Sequence, residues 1–228
     1  MTKNSLKKQA FSLYLLLGGL FITALITCNL IANKFVAVDL GFKVFVLSAG
    51  VLPYPITFLL TDILSEIYGR KKTSLIVYTG FAASLFVLGI LYLGSIFPSV
   101  ENSPVSNDYY NTVFQNSWRV ILASMAAYLT AQLVDVRLFH FWKRKTKGKK
   151  LWLRNNASTI LSQFVDTTLV VLVLFAGILP SETIQAYILD GWFFKVLCAL
   201  IDTVFVYLLV WLIRRKFSLK QGEEIDFL

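Results

Sequence analysis

Asp62 and Glu66 stand four residues apart, Gln132 and Asp135 three apart, and Gln163 and Asp166 three apart, each pair inside a largely apolar stretch. On a helix such spacings put both members of a pair on one face, where they present adjacent hydrogen-bonding groups. Asn29 and Asn33 repeat the pattern near the N-terminus, and Lys195 and Asp202 add a cation and another acid near the C-terminus. A charge at the centre of a bilayer costs about 2.5–3.5 kcal/mol even on the lenient insertion scale, so such residues need a partner or a purpose. The acids Asp62, Glu66, Asp135, Asp166 and Asp202 outnumber the internal bases Lys195, Arg137 and Lys34. Complete internal pairing is therefore excluded without protons, water or a ligand. The bland alternative is a set of ion pairs holding helices together. Lys195 and Asp202 are about 10.5 Å apart along one helix, which makes Asp166 on the adjoining helix the better partner for Lys195.

The elements that must position these groups are transmembrane helices. The chain has 228 residues, 57% hydrophobic and 15% charged, with a mean hydropathy of +0.67. A soluble domain carries roughly 25% charge, and a single soluble core of this length could not hide so many apolar side chains. Spans of about 20 residues each would use them directly. Six apolar runs qualify: residues 11–36, 44–68, 73–97, 118–142, 156–179 and 184–213. The expected fold is an all-α polytopic membrane protein, a single six-helix transmembrane domain over residues 1–228. The first run is too long for a signal-peptide core and no small-residue cleavage site follows it, so it reads as a mature helix. Pro53 and Pro55 should interrupt helix two, because proline removes a backbone donor and clashes with the preceding turn. Broken helices at membrane depth commonly line a substrate site; a simple packing kink is the alternative.

Seventeen of the 22 Lys and Arg residues fall on alternate loops: the N-terminal arm, residues 70–72, residues 143–154 and the tail after 213. Residues 98–117 and 180–183 have none. The positive-inside rule then places both termini and the basic loops in the cytoplasm. The net charge of +9 is thus mainly topology, with anionic lipid head groups as the expected partner and nucleic acid not one. Residues 98–117 read as a mobile external segment, and helix three, glycine-containing and uncharged, as a lipid-facing or tightly packed helix. Counted from the inner helix ends, Asp166 lies about 15 Å deep, while Asp62 and Asp135 share a level about 9–10 Å deep. Asn29 and Lys195 lie above the midplane. The polar groups form a column facing inward from helices one, two, four, five and six.

Other chemistries find little support. Cys28 and Cys198 lie in apolar runs without Cys or His neighbours, so neither a disulfide nor a metal site is expected. His140, the one histidine, sits beside a basic loop and reads as interfacial. No hydrolase or metalloprotease motif is present, and no cofactor is expected. An aspartyl-type membrane enzyme using Asp135 and Asp166 is a remote alternative. A short internal similarity, Ala131-Gln132-Leu133-Val134-Asp135 against Ser162-Gln163-Phe164-Val165-Asp166, places two like segments on antiparallel neighbours. Five positions do not establish an inverted repeat.

The order of several motifs resembles the queuosine precursor transporters, also called the vitamin uptake transporter family. They are Asn29 to Lys34, Pro55 to Asp62 continuing through Glu66 to Gly69, Gln132 to Asp135 through Phe139, Ala157 to Thr159 followed by Asp166-Thr167, and Phe194 to Leu197. The resemblance covers about 180 residues. It implies a non-enzymatic six-helix importer in a bacterial inner membrane for 7-deazaguanine bases, such as 7-cyano-7-deazaguanine, 7-aminomethyl-7-deazaguanine or queuine, used for tRNA modification. A guanine-like edge offers two adjacent donors that one carboxylate accepts together, while amides answer its carbonyl. Phe58, Tyr54, Phe139 and Trp192 are available to stack on a flat ring. Which carboxylate recognises the base stays open, as do the energy source and the oligomeric state, a dimer included. The alternative within transport is a substrate-capture subunit docking on a separate ATP-driven module, since no phosphate-binding loop is present.

Overall fold

A computed structural model describes residues 3–32, 34–41, 43–114, 118–177 and 179–226. Its elements in chain order are α1 (Lys3–Leu30), β1 (Phe35–Asp39), β2 (Val44–Ser48), α2 (Tyr54–Tyr68), α3 (Arg70–Ile96), α4 (Asn107–Phe114), α5 (Trp118–Lys145), α6 (Leu151–Phe175) and α7 (Ser181–Phe217). Among the described residues, five segments are long and apolar enough to cross a membrane: Ser5–Leu30, Ala49–Tyr68, Arg70–Ile96, Leu151–Val173 and Ser181–Phe217. The protein is an all-α, multi-pass membrane fold with one small hairpin. α5, though 28 residues long, falls outside the five; it carries Gln132, Asp135, Arg137 and His140 among its apolar residues.

The hairpin corrects the sequence expectation for helices one and two. Helix one ends at Leu30 instead of residue 36, and residues 44–48 form a strand instead of the start of a helix. β1 and β2 pair antiparallel, Phe35 opposite Ser48 and Asp39 opposite Val44. The physical reason is local. Val36, Val38 and Val44 are β-branched and suit a pleated ribbon, and Gly41 takes a φ of +82° at the turn, where its N–H donates to Asp39 Oδ1. Gly50, just past the hairpin, packs directly on the Cys28 carbonyl of α1, an approach that a side chain would block.

The prolines also act differently from expectation. Pro53 caps α2 and Pro55 lies in its first turn, where backbone N–H groups have no helical acceptor to lose. They open the helix and do not interrupt it. α2 is the central element: it packs against α1, α3, α5 and α7, and 11 of its 15 residues are buried. The segment expected to be a mobile loop contains α4, tethered to α3 by the Tyr110 hydroxyl, which donates to the Leu91 carbonyl at 3.0 Å. Helix three packs through its first half, with Gly80 against Phe21 and Leu25 of α1, and leaves large apolar residues such as Phe86, Ile90 and Leu93 exposed.

α3 leaves the end where Arg70, Lys72, Lys143 and Arg214 gather, and α5 returns to it. After α7 the chain folds back across this basic end. The Ile225 N–H donates to the Ile67 carbonyl at the end of α2 at 2.7 Å, and the Ile225 side chain is buried in the main core with Ile63, Ile67 and Tyr68.

Candidate functional site

Three polar layers lie along α2, and each is fixed by side chains from different helices. At the basic end, Glu66 is 1% exposed and its Oε1 accepts from Arg154 of α6 and Arg214 of α7, both at 2.5 Å. Lys143 of α5 lies 3.8 Å from Oε2 and also donates to the Glu66 carbonyl at 3.1 Å. Arg154 is itself 1% exposed. It donates to the Gly148 and Lys149 carbonyls of the α5–α6 turn and sits 5.6 Å from the Phe139 ring centroid. One carboxylate thus ties α2, α5, α6 and α7 together.

One turn deeper lie Asp62 of α2 and Asp135 of α5, 2% and 1% exposed, brought to one level by the same face of α6. α6 holds both: Ser162 donates to Asp135 Oδ1 at 2.9 Å and Thr159 to Asp62 Oδ2 at 3.5 Å. Ser162 and Thr159 are three residues apart, so one face of α6 serves both acids. Half-buried Asp202 of α7 adds a third carboxylate to the field at Asp62. The shared level expected for Asp62 and Asp135 is found.

The third layer holds the charge pair. Lys195 of α7 donates to Asp166 Oδ2 of α6 at 2.6 Å, both side chains at least nine-tenths buried. Nζ of Lys195 also lies 4.7 Å from the centroid of the Tyr54 ring. Tyr54 opens an aromatic cluster with Phe58 at 5.6 Å and Tyr128 at 5.4 Å between ring centroids. Gln132 donates to the Tyr128 hydroxyl at 2.7 Å, and Thr61 donates to Gln132 Oε1 at 3.4 Å. Asp166 Oδ1 and Gln163 Oε1 are buried and have no hydrogen-bond partner among the described residues. This layer brings together a cation, a carboxylate oxygen, an amide oxygen and aromatic faces.

The remaining candidates lie elsewhere. Asn29 faces a narrow apolar crevice lined by Ile26, Leu88, Leu91 and Met125, apart from the acids, and Asn33 lies outside the described residues. Arg137 and Lys34, counted as internal bases, are exposed. Trp192 is held by the Ile160 carbonyl at 2.9 Å and packs on Phe164, on the outer side of α6. The residues that sequence reasoning missed are Arg154, Lys143 and Arg214, which neutralise Glu66, and Thr159 and Ser162, which hold the acid pair. The i, i+3 spacing of the last two was the available signal.

A sequence model of the family described as "Putative vitamin uptake transporter" matches residues 48–209. The chain belongs to this family. It is similar to the "Probable queuosine precursor transporter" of Bacillus subtilis, 30% identical over 159 residues, 69% of each chain. The protein of the same name in Haemophilus influenzae is 31% identical over 121 residues, 52% of this chain and 47% of that one. No solved structure matches the chain. As a member of the vitamin uptake transporter family the protein is a transporter and not an enzyme. The matched region spans α2 through most of α7 and so includes Asp62, Asp135, Asp166 and Lys195, while Arg214 and the folded-back tail lie beyond it.

Proposed function

We propose that the protein imports a queuosine precursor, a 7-deazaguanine base, across a bacterial inner membrane. The observation that carries this reading is the Asp166–Lys195 pair under the Tyr54 ring. Lys195 occupies one oxygen of Asp166, and the other has no hydrogen-bond partner among the described residues. A carboxylate held in this way accepts the adjacent N–H donors of a guanine-like edge, Gln163 stands one turn away on the same face, and Tyr54, Phe58 and Tyr128 supply ring faces. The names of the two curated relatives support the substrate class.

In this reading α5 is a sixth crossing. α3 and α5, with 27 and 28 residues, both extend about 40 Å. They pack together, α3 leaving the basic end and α5 returning to it. The basic end is cytoplasmic by the positive-inside rule, and it contacts anionic lipid. Substrate leaves the third layer past Asp62 and Asp135 toward a recess of about 500 Å³ bordered by Glu66, Arg154, Tyr207 and Arg214. The Glu66 ion pairs close that exit, and their opening releases the base.

Thermal unfolding of the purified protein tests the substrate claim. A 7-deazaguanine at a hundredfold excess over its dissociation constant should stabilise the protein by about 2.7 kcal/mol. Stabilisation by thiamine or riboflavin with none from 7-deazaguanines would overturn the substrate and leave the transporter assignment in place.

A further inference from the structure

Beside the first residues of α3, the basic end contains a recess of about 800 Å³ that the transport pathway does not use. Six cations border it: Arg70, Lys71, Lys72, Lys143, Arg144 and Lys147. Two are occupied by the tail, Lys143 by Glu224 at 2.8 Å and Lys72 by Asp226 at 3.2 Å. Arg70, Lys71, Arg144 and Lys147 form no ion pair among the described residues. α3 also begins here, and its cap residue Gly69 offers no side chain to the first N–H groups, which leaves a helix N-terminus pointing at the recess. His140 borders the same space, 8% exposed, with Nε2 lacking a hydrogen-bond partner among the described residues.

The tail shows what this surface accepts. The Glu224 carboxylate lies against the Cα of Gly69, so close that a side chain at that position would collide with it. It therefore sits at the open end of α3 and on Lys143 at once. Gly69 has a φ of +80°, a second reason for glycine at this turn. Glu224 is held in place by its neighbour Ile225, whose N–H and side chain are anchored on the end of α2.

We propose that this recess binds a phosphate group, separately from the transported molecule, and that Glu224 is a competing anion built into the chain. Phosphate offers several acceptor oxygens, which Arg70, Lys147 and the α3 N–H groups can share at short range. Either a lipid head group at the membrane surface or free phosphate carries this chemistry.

The test uses the full chain in nanodiscs. Thermal unfolding is followed in phosphatidylcholine discs titrated with inorganic phosphate, against sodium chloride at matched ionic strength, and in discs with rising phosphatidylglycerol content. Saturable stabilisation is expected beyond the salt control. A response to phosphate alone identifies a soluble ligand, a response to phosphatidylglycerol alone identifies a lipid, and a response to both identifies a site that reads the phosphate itself. Arg70→Gln with Lys147→Gln should weaken the apparent affinity at least tenfold. Both residues are exposed, and Lys71→Gln with Arg144→Gln serves as a second variant if the first elutes as aggregate. Glu224→Gln should tighten binding about tenfold, the size of one charge-assisted contact removed from a competitor. A response equal to that of chloride, or one unchanged in the variant that folds, overturns the site. Weaker binding in Glu224→Gln overturns the competitor.

Discussion

Asp166→Asn keeps the shape of the side chain and removes its charge, which separates the two roles that one carboxylate holds in the third layer. The Lys195–Asp166 contact is 2.6 Å long with side chains 10% and 4% exposed, so the pair is desolvated. Breaking such a pair from one side costs about 3–5 kcal/mol, because the other charge is left buried. Two features of the site reduce this. The Tyr54 face, 4.7 Å from Nζ, retains about 2 kcal/mol of cation–π attraction, and the Asn carbonyl still accepts a bond from Lys195. The expected net loss is about 2 kcal/mol, or about 4–8 °C in Tm for a chain of this size. The double change with Lys195→Met removes both charges and should restore most of that loss. Substrate affinity should behave differently. Asp166→Asn turns a carboxylate oxygen toward donor character and should weaken 7-deazaguanine binding at least tenfold, and Lys195→Met should not rescue it. The assay is thermal unfolding of the detergent-purified protein with and without ligand for the two single variants and the double. A double variant no more stable than Asp166→Asn would refute the pairing argument. Wild-type affinity in Asp166→Asn would move base recognition to Asp62 and Asp135.

Three further outcomes are expected. Glu66→Gln leaves Arg154, Arg214 and Lys143 without their shared acceptor and should lower stability by at least about 3 kcal/mol, seen as loss of monodisperse yield from membranes. Lys43→Met should change stability by less than about 1 kcal/mol, because its ion pair with Asp190 is 40% and 49% exposed; a Tm shift of more than a few degrees in a melting scan would contradict this. A single cysteine at Ser103 in intact cells should react with an impermeant maleimide, and one at Lys147 should not; the reverse pattern would invert the orientation.

The helices were legible wherever an apolar run exceeded the length of a soluble core helix, and the polar layers wherever an acid had a second acid or an amide three or four residues away. Asp62, Asp135 and Asp166 were found in this way, and the adjoining-helix argument found Lys195 as the partner of Asp166. The hairpin was missed because Val36, Val38, Val44 and Phe45 raise hydropathy as effectively in a strand as in a membrane helix. Alternation and the Gly41 turn were present, but they are weaker signals over five residues than a continuous apolar run. The environment of Glu66 was misjudged for another reason. Arg154 and Arg214 sit at helix ends and were counted with the loops, whereas a long guanidinium side chain reaches well back into the bundle. Proline chemistry was read correctly at Pro53 and Pro55 and placed wrongly, because the same residue type that breaks a helix interior is at home in its first turn.

The Glu66 cluster has a consequence for how the chain is made. Its acceptor is on the second long helix, but its donors come much later: Arg214 follows Glu66 by 148 residues. At a synthesis rate of about 5–20 residues per second, Glu66 waits about 7–30 s for its last partner. During that interval the growing chain carries a carboxylate that its final structure buries almost completely. Lys143 and Arg154 reach Glu66 before Arg214 does, so its neutralisation proceeds in steps and is complete only when α7 arrives. Chains that stop before Arg214 should be cleared by quality-control proteases even though most of their apolar spans are complete.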